Sequence, residues 1–226
     1  MCSSDLIFDA TACESPEGSK AFAKMMSAIS AAGNPSIPVD AKVIRSGVRN
    51  AIALPGGKAY LFRGLLEKAE NPDEIAGVLA HELGHVKNRD GMRRLIQAGG
   101  TSFLIGLLFG DVTGSGAVIF VTQQLLDASY SRDAETGADG VAIEVMTSLG
   151  RSPVPMGELL QRITGDQRDS ISILASHPLT GDRLDRFKRE WTPQRAAGAP
   201  ILNDEEWKAL KGICGTIAPS KDEKKG

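Results

Sequence analysis

The stretch Asn71–Arg89, which reads NPDEIAGVLAHELGHVKNR, has the clearest helical pattern in the chain. Asn71 is a good N-cap, Pro72 suits the first helical position, and Glu74 stands where a capping box needs it. The apolar residues that follow recur with the period of a helix and form one broad stripe. We therefore predict a helix over residues 72–89, with this stripe packed into the core.

Within this helix, residues 81–85 read His-Glu-Leu-Gly-His. His81 and His85 are about one helical turn apart, so both rings point the same way and can hold one metal ion. Glu82 lies inside the apolar stripe, where a carboxylate is costly unless it has a partner such as a water molecule at the metal. The pattern indicates a zinc site with Glu82 as general base. A buried helix with two chance histidines is the alternative, although two of the three histidines of the chain lie here.

Two glycines of the same helix, Gly77 and Gly84, lie on the side next to the histidines. Because glycine weakens a helix, its presence at both positions predicts close packing against another element.

A catalytic zinc ion needs a third protein ligand. A histidine six residues after His85 is excluded, because Gly91 stands there. In the stretch 129–139, Glu135 and Asp139 are four residues apart and share a helix face. Glu135 can bind the metal while Asp139 accepts a hydrogen bond from the free ring nitrogen of His81. A solvated helix start is the alternative, but the apolar residues that follow directly make it less favoured.

Four segments in order resemble peptidase family M48, a family of zinc metallopeptidases. They are HELGH at 81–85, Ser-Arg-x-x-Glu-x-x-Ala-Asp at 131–139, NAIALPGG at 50–57, and Ser-His-Pro at 176–178 with a following arginine. The resemblance runs from about residue 37 to residue 189. It implies a compact gluzincin-like fold that binds one Zn²⁺ per chain through His81, His85 and Glu135, with Glu82 as base.

We expect an α+β fold that is mainly helical, with a small β-hairpin or sheet above the active-site helix. The hairpin comes from residues 50–54 and 58–62, which flank a Pro-Gly-Gly turn. An open strand edge there would let an extended polypeptide substrate add itself as another strand. The substrate-binding candidates are Asn50, Ala51, Ile52 and Ala53. Asn50 either binds the substrate backbone or is a turn residue.

His177 precedes a proline, which holds it in an extended or turn conformation. The resemblance places it near the metal, where it would stabilise the oxyanion or fill the fourth zinc position in a resting state. A loop histidine that caps the next helix is the remaining alternative. Arg132 and Arg183 are candidates for bracing the site, and surface salt bridges explain them equally well.

The segment 95–126 contains two apolar runs, each shorter than the about 20 residues needed to span a bilayer. We predict a buried helical hairpin here. A hairpin that dips into the membrane or binds a membrane protein is the alternative.

Composition favours one globular domain, since 42% of the 226 residues are hydrophobic. A net charge of −2 gives no indication of a nucleic-acid partner. The three cysteines have no metal-binding spacing and do not form an even set of disulfides. We predict a non-native or disordered start at 1–14, a metallopeptidase domain at 15–192, and a linker, short helix and disordered tail at 193–226. By resemblance, we expect a bacterial membrane-associated or periplasmic location. Residues 1–6 read like a translated sequencing adapter, so we also expect the native N-terminus to be missing.

The function that these features predict is a metalloendopeptidase that cleaves unfolded or membrane-associated proteins in protein quality control. Two rivals are a chaperone-like binding module on the same fold and a zinc hydrolase with a non-peptide substrate. The complete set of metal and base residues argues against the first, and the strand-forming hairpin argues against the second.

Overall fold

The computed structural model describes residues 11–94, 96–97, 130–164, 173–191 and 198–215. The helices are α1 (Pro16–Gly33), α2 (Arg63–Lys68), α3 (Pro72–Asn88), α4 (Arg132–Ser148), α5 (Val154–Ile163), α6 (Ile173–Ser176), α7 (Gly181–Glu190) and α8 (Asp204–Lys211), and the strands are β1 (Asp40–Ile44), β2 (Ala51–Leu54) and β3 (Lys58–Phe62). Within these ranges, no helix is both long and apolar enough to cross a membrane. The predicted apolar hairpin at 95–126 lies outside the described residues except for 96–97.

The three strands form one sheet in the order β1-β3-β2. β1 runs parallel to β3, and β2 pairs antiparallel to β3 as the predicted hairpin. Gly56 and Gly57 have φ angles of 87° and 81°, a left-handed conformation that glycine adopts without strain. The expected fold class, mainly helical with a small sheet, is confirmed.

Helix α3 begins where the sequence predicts. The Asn71 Oδ1 accepts a hydrogen bond from the Glu74 amide at 3.1 Å, and Glu74 Oε2 accepts one from the Glu70 amide at 2.9 Å. The helix ends at Asn88, after which Arg89 takes a left-handed conformation with φ 58°. Every residue from 73 to 86 is buried, so the helix runs through the middle of the core.

The two glycines of α3 mark its closest contacts with other helices. A β-carbon at Gly84 would lie 2.7 Å from Ala138 Cα of α4, and one at Gly77 would lie 2.7 Å from Met156 Cβ of α5. Larger residues would force these helices apart. The close approach at Gly84 brings the first turns of α4 next to the histidine side of α3.

The two ends of the described chain are joined by a disulfide between Cys13 and Cys214. The sequence did not single out this pair, because three cysteines do not reveal which two meet after folding. The preceding residues continue the sheet, since Cys13 donates to Val43 O at 2.7 Å and Arg45 donates to Thr11 O at 2.8 Å. The residues from Thr11 onward, which the structure describes, thus pack at the edge of β1.

Helix α8, which the sequence assigned to the region after the domain, packs on α1. Lys24 of α1 pairs with Glu206 of α8 at 2.6 Å. Lys211 donates to the carbonyl oxygens of Leu66, Glu67 and Ala69 at 2.7–2.9 Å, which satisfies carbonyls at the end of α2.

We predict that replacing Cys13 and Cys214 together with alanine lowers the free energy of unfolding by about 2–5 kcal/mol, because the unfolded chain loses a long cross-linked loop. Urea unfolding of the variant and of the oxidised protein measures the difference. Ser36→Ala, at an exposed position, is the control and should leave stability unchanged. Equal midpoints for the double variant and the oxidised protein would show that the two cysteines are not joined in solution.

Candidate metal centre

Four buried side chains from three parts of the chain converge on one point. They are His81 and His85 of α3, Glu135 of α4, and His177, which follows α6. One nitrogen or oxygen atom from each lies within 4.8 Å of the others, and each residue is at most 5% exposed. The cluster is able to hold a metal ion.

Local structure fixes the two ligands that do not come from α3. Ser131 caps α4 by accepting a hydrogen bond from the Ala134 amide at 3.2 Å, which places Glu135 in the first turn. The His177 amide donates to Ile173 O at 2.7 Å, and the Tyr130 amide donates to Ser176 O at 3.1 Å. These bonds tie the His177 segment to the start of α4.

The potential ligand atoms lie at contact distance from one another. His81 Nε2 is 3.1 Å from His85 Nε2, and His177 Nδ1 is 3.2 and 3.4 Å from these two nitrogens. Glu135 Oε1 lies 2.9 Å from His177 Nδ1 and 3.4 Å from His85 Nε2, while its Oε2 lies 3.6 Å from His81 Nε2. Three imidazole nitrogens and a carboxylate crowded together in a buried space can all be satisfied by one cation between them.

Each α3 histidine has a carboxylate behind it. His81 Nδ1 lies 3.0 Å from Asp139 Oδ1, the partner that the sequence proposed. His85 Nδ1 lies 2.9 Å from Asp90 Oδ2, a contact that the sequence reasoning missed. The left-handed Arg89 turns the chain so that the buried Asp90 faces back towards α3. Such carboxylates fix the ring orientation and raise the basicity of the ligand nitrogen.

Arg183 holds the two carboxylates of α4 together. Its Nε and Nη2 each donate to Asp139 at 2.7 Å, and its Nη1 lies 2.7 Å from Glu135 Oε2 and 2.8 Å from Pro178 O. Arg183 is buried and therefore acts inside the site. Arg132, in contrast, is exposed at the first residue of α4, on the rim of a cavity of about 690 Å³ that Glu135 and Arg183 also line.

A second contact missed from the sequence is the stacking of Tyr130 on His85. The two rings are nearly parallel, at 9°, with centroids 3.8 Å apart. The guanidinium carbon of Arg94 lies 4.1 Å from the centre of the Tyr130 ring. Together with Asp90, these groups fix both the plane and the rotation of His85. Tyr130 precedes α4 without a local pattern that indicates a ring contact.

The charge state of the cluster suits a cation. Burial raises the pKa of Glu135, but hydrogen bonds from His177 and His85 outweigh it and hold that pKa below its usual range. Burial lowers the pKa values of His81 and His177, which favours the neutral form of the ring that binds a metal. Burial also lowers the pKa of His85, but hydrogen bonds to Asp90 and Glu135 raise it to about 9. A metal ion must displace that proton.

Glu82 lies beside the cluster without being part of it. It is 1% exposed, and neither carboxylate oxygen has a hydrogen-bond partner among the described residues. Burial raises its pKa, while His85, His81 and, by a smaller amount, the backbone of Ala53 lower that pKa. His177 Nε2 lies 3.4 Å from Glu82 Oε1. The imidazole of His177 therefore lies between the other potential ligands and Glu82.

The edge of the sheet passes over Glu82. Phe62 donates to Asn50 O at 3.0 Å, so the alternation of antiparallel bonds turns the amides and carbonyls of Ala51 and Ala53 to the edge of β2 that faces away from β3. All four residues of β2 are buried. The Ala51 amide is occupied by Asn50 Oδ1 at 2.8 Å. Asn50 itself is fully buried, and Ile52 turns its backbone towards β3. Of the four predicted substrate-binding residues, Ala53 is thus the one beside Glu82.

Curated proteins of known name match much of this chain. It is 28% identical over 170 residues to the mitochondrial metalloendopeptidase OMA1 of Schizosaccharomyces pombe, a match that covers 74% of this chain and 50% of that protein. It is 30% identical over 153 residues to OMA1 of Saccharomyces cerevisiae, with 64% and 44% covered. For the β-barrel assembly-enhancing protease of Escherichia coli, the identity is 26% over 173 residues, with 70% and 36% covered. The chain spans half or less of the length of these three relatives.

The sequence model of the family described as "Peptidase family M48" matches residues 19–190. This range is more than half of the chain and includes all four potential metal ligands. The resemblance seen in the four ordered segments is thereby confirmed, and the chain belongs to peptidase family M48, a family of hydrolases.

Proposed function

We propose that this protein is a zinc-dependent endopeptidase that cleaves unfolded or membrane-associated polypeptides in protein quality control. The observation that carries the proposal is the buried convergence of three imidazoles and one carboxylate beside an unpartnered glutamate, Glu82. This arrangement combines a divalent-cation site with a proton acceptor, the two parts that metal-assisted hydrolysis requires.

The donor set supports zinc as the metal. In a tetrahedral zinc site, bonds of about 2.0–2.1 Å to nitrogen and oxygen place neighbouring ligand atoms about 3.3–3.4 Å apart. The three imidazole nitrogens lie 3.1–3.4 Å apart, close to this spacing, and one or the other oxygen of Glu135 lies 2.9–3.6 Å from each of them. When bound, the zinc ion supplies the Lewis acidity that polarises a peptide carbonyl and acidifies water.

Glu82 is the group that moves the proton. Its buried, unpartnered carboxylate has a raised pKa, so it accepts a proton from an attacking water more readily than an exposed glutamate. It then gives the proton to the leaving amine. Asp139, Asp90 and Arg183 keep the ligand side chains in place during this step and contact no substrate.

We infer that the structure corresponds to a resting state in which His177 is the fourth ligand. Its Nδ1 lies with the other ligand atoms, and its Nε2 faces Glu82. The ring thus fills the place between the metal position and the base that a water molecule needs. Movement of the His177 segment would open the site, and the oxyanion role stays a prediction for that open state.

The substrate would bind as an added strand on the edge of β2 that faces away from β3. The Ala51 and Ala53 carbonyls would accept backbone hydrogen bonds that do not depend on side-chain identity. Such binding favours extended, unfolded segments over folded proteins. Asn50 then supports the edge strand through its bond to the Ala51 amide.

The Cys13–Cys214 disulfide supports an oxidising location such as the bacterial periplasm. Two of the relatives, by name, are mitochondrial, and one enhances β-barrel assembly. We propose a periplasmic or membrane-associated enzyme whose partner is a polypeptide or a membrane protein.

We predict that the zinc-loaded protein cleaves an unfolded protein such as casein and that a chelator stops the cleavage. Glu82→Gln should keep one zinc ion but lower the cleavage rate about 10²–10⁴-fold, because the proton acceptor is lost. Electrophoresis of the digests and metal analysis measure the two effects. The exposed Glu158→Gln is the matched control and should cleave normally. An active Glu82→Gln protein would refute this assignment of the base.

For His177→Ala we expect weaker zinc binding but cleavage about tenfold faster. In the unaltered protein, the resting state with His177 in the site keeps the catalytically competent conformation a minor population. Casein digestion at saturating zinc measures the rate. The double variant with Glu82→Gln should be inactive. This result would show that the faster cleavage by His177→Ala also depends on Glu82. Slower cleavage by His177→Ala would instead favour the oxyanion role.

For Asp90→Ala we expect zinc binding about 10–100-fold weaker than in the unaltered protein, because His85 loses the acceptor that orients its ring. Competition with a zinc-binding dye measures the affinity. Asp133→Ala, an exposed position in the first turn of α4, is the control. An unchanged affinity in a folded Asp90→Ala protein would rule out this orienting role.

A further inference from the structure

An apolar cavity of about 270 Å³ opens beside the metal centre. It lies between the turn that follows β2 and the C-terminal end of α3, and its lining includes His85, Ala53 and Leu54. One end of the cavity therefore borders a metal ligand, and one wall is the end of the edge strand. A cavity of this size holds one large side chain rather than a whole small-molecule ligand.

The walls of the cavity are fixed by close backbone contacts. A β-carbon at Gly57 would lie 2.3 Å from Pro38 O, and one at Gly91 would lie 3.2 Å from Pro55 Cδ. The Asp40 amide donates to Gly57 O at 2.8 Å. The turn is thus wedged between the segment before β1 and the residues after α3, so the cavity is present before any substrate binds.

The rim of the cavity exposes apolar side chains. Among the described residues, three large apolar side chains are exposed, namely Ile37 at 37%, Met92 at 42% and Ile96 at 43%. Two of them, Ile37 and Met92, line this cavity from opposite sides. Apolar surface at the mouth of a preformed cavity next to a reaction centre is typical of a binding site.

The direction of β2 assigns the cavity to one side of the cut bond. Ala53 and the potential ligand His85 both border the cavity, and the strand runs on through Leu54 into the cavity wall. A substrate strand paired antiparallel to β2, the more stable pairing, runs the opposite way. The substrate residues that reach the cavity therefore precede the bond that is cut.

We propose that this cavity is a specificity pocket that receives a large apolar side chain, such as leucine, methionine or phenylalanine, from one of the two substrate residues before the cleaved bond. Ile37 and Met92 determine the specificity. The proposal rests on the peptidase function and adds side-chain selection to the backbone binding of the β2 edge.

The test maps the cleavage sites. The zinc-loaded full chain is incubated with a peptide mixture of diverse sequence, and mass spectrometry identifies the residues on both sides of every cut. The unaltered protein should favour apolar residues at one of the two positions before the cut. Met92→Glu should lower this preference about tenfold, because a carboxylate at the rim repels an apolar side chain and favours a basic one. Ile96→Glu is the matched control, with the same chemical change at the same exposure outside the lining, and should retain the preference.

A second variant, Ile37→Glu, alters the opposite wall and should change the cleavage preference in the same direction as Met92→Glu. Melting temperatures equal to that of the unaltered protein show that a loss of preference is not a loss of fold. Three outcomes would contradict the pocket proposal without contradicting the peptidase function. They are cleavage without an apolar preference, an unchanged preference in both variants, and a preference only after the cut. No cleavage by the unaltered protein, nor by His177→Ala, would overturn the peptidase function and the pocket together.

Discussion

The cost of burying polar groups in the middle of α3 is the constraint on which the structure depends. Two imidazoles and the carboxylate of Glu82 lie in a helix whose residues 73–86 are all buried. Such groups are tolerated in a core only when partners satisfy them. The protein surrounds His81 and His85 with carboxylates and an arginine, but their Nε2 atoms face each other at 3.1 Å. A divalent cation at that point removes the remaining cost.

Close helix packing makes this arrangement possible. Gly84 allows α4 to approach α3 until Ala138 touches its backbone, and this approach brings Glu135 to the histidines. Arg183 then holds Glu135 and Asp139 as one unit. The same residues that satisfy the buried charges therefore also define the ligand geometry. Stability and chemistry are coupled here, because a change that loosens α4 would move a ligand.

Local patterns predict much of this structure. The cap at Asn71 and the apolar period predict α3. The spacing of four residues places Glu135 and Asp139 on one helix face, and both are buried there in the structure. The Pro-Gly-Gly turn predicts the hairpin. Each of these signals lies within a few residues along the chain, where backbone geometry alone fixes which side chains are neighbours.

Contacts that depend on tertiary folding were missed. The Cys13–Cys214 disulfide joins residues 201 positions apart, and an odd cysteine count hides the pair. The stack of Tyr130 on His85 joins separate segments. Asp90 reaches His85 because Arg89 adopts a left-handed conformation, which the sequence does not predict for an arginine. The place of His177 was left between two roles, because sequence spacing does not give a distance to the metal. In the structure, its ring lies between the other potential ligands and Glu82.

The proposed resting protein holds one metal ion through four side chains. X-ray absorption spectroscopy at the zinc edge measures this most directly. We expect one zinc ion per chain with four nitrogen or oxygen ligands at about 2.0–2.1 Å, three of them with imidazole scattering. Loss of one imidazole contribution in His177→Ala would identify that ligand. No stoichiometric zinc, or zinc bound through sulfur, would contradict the account.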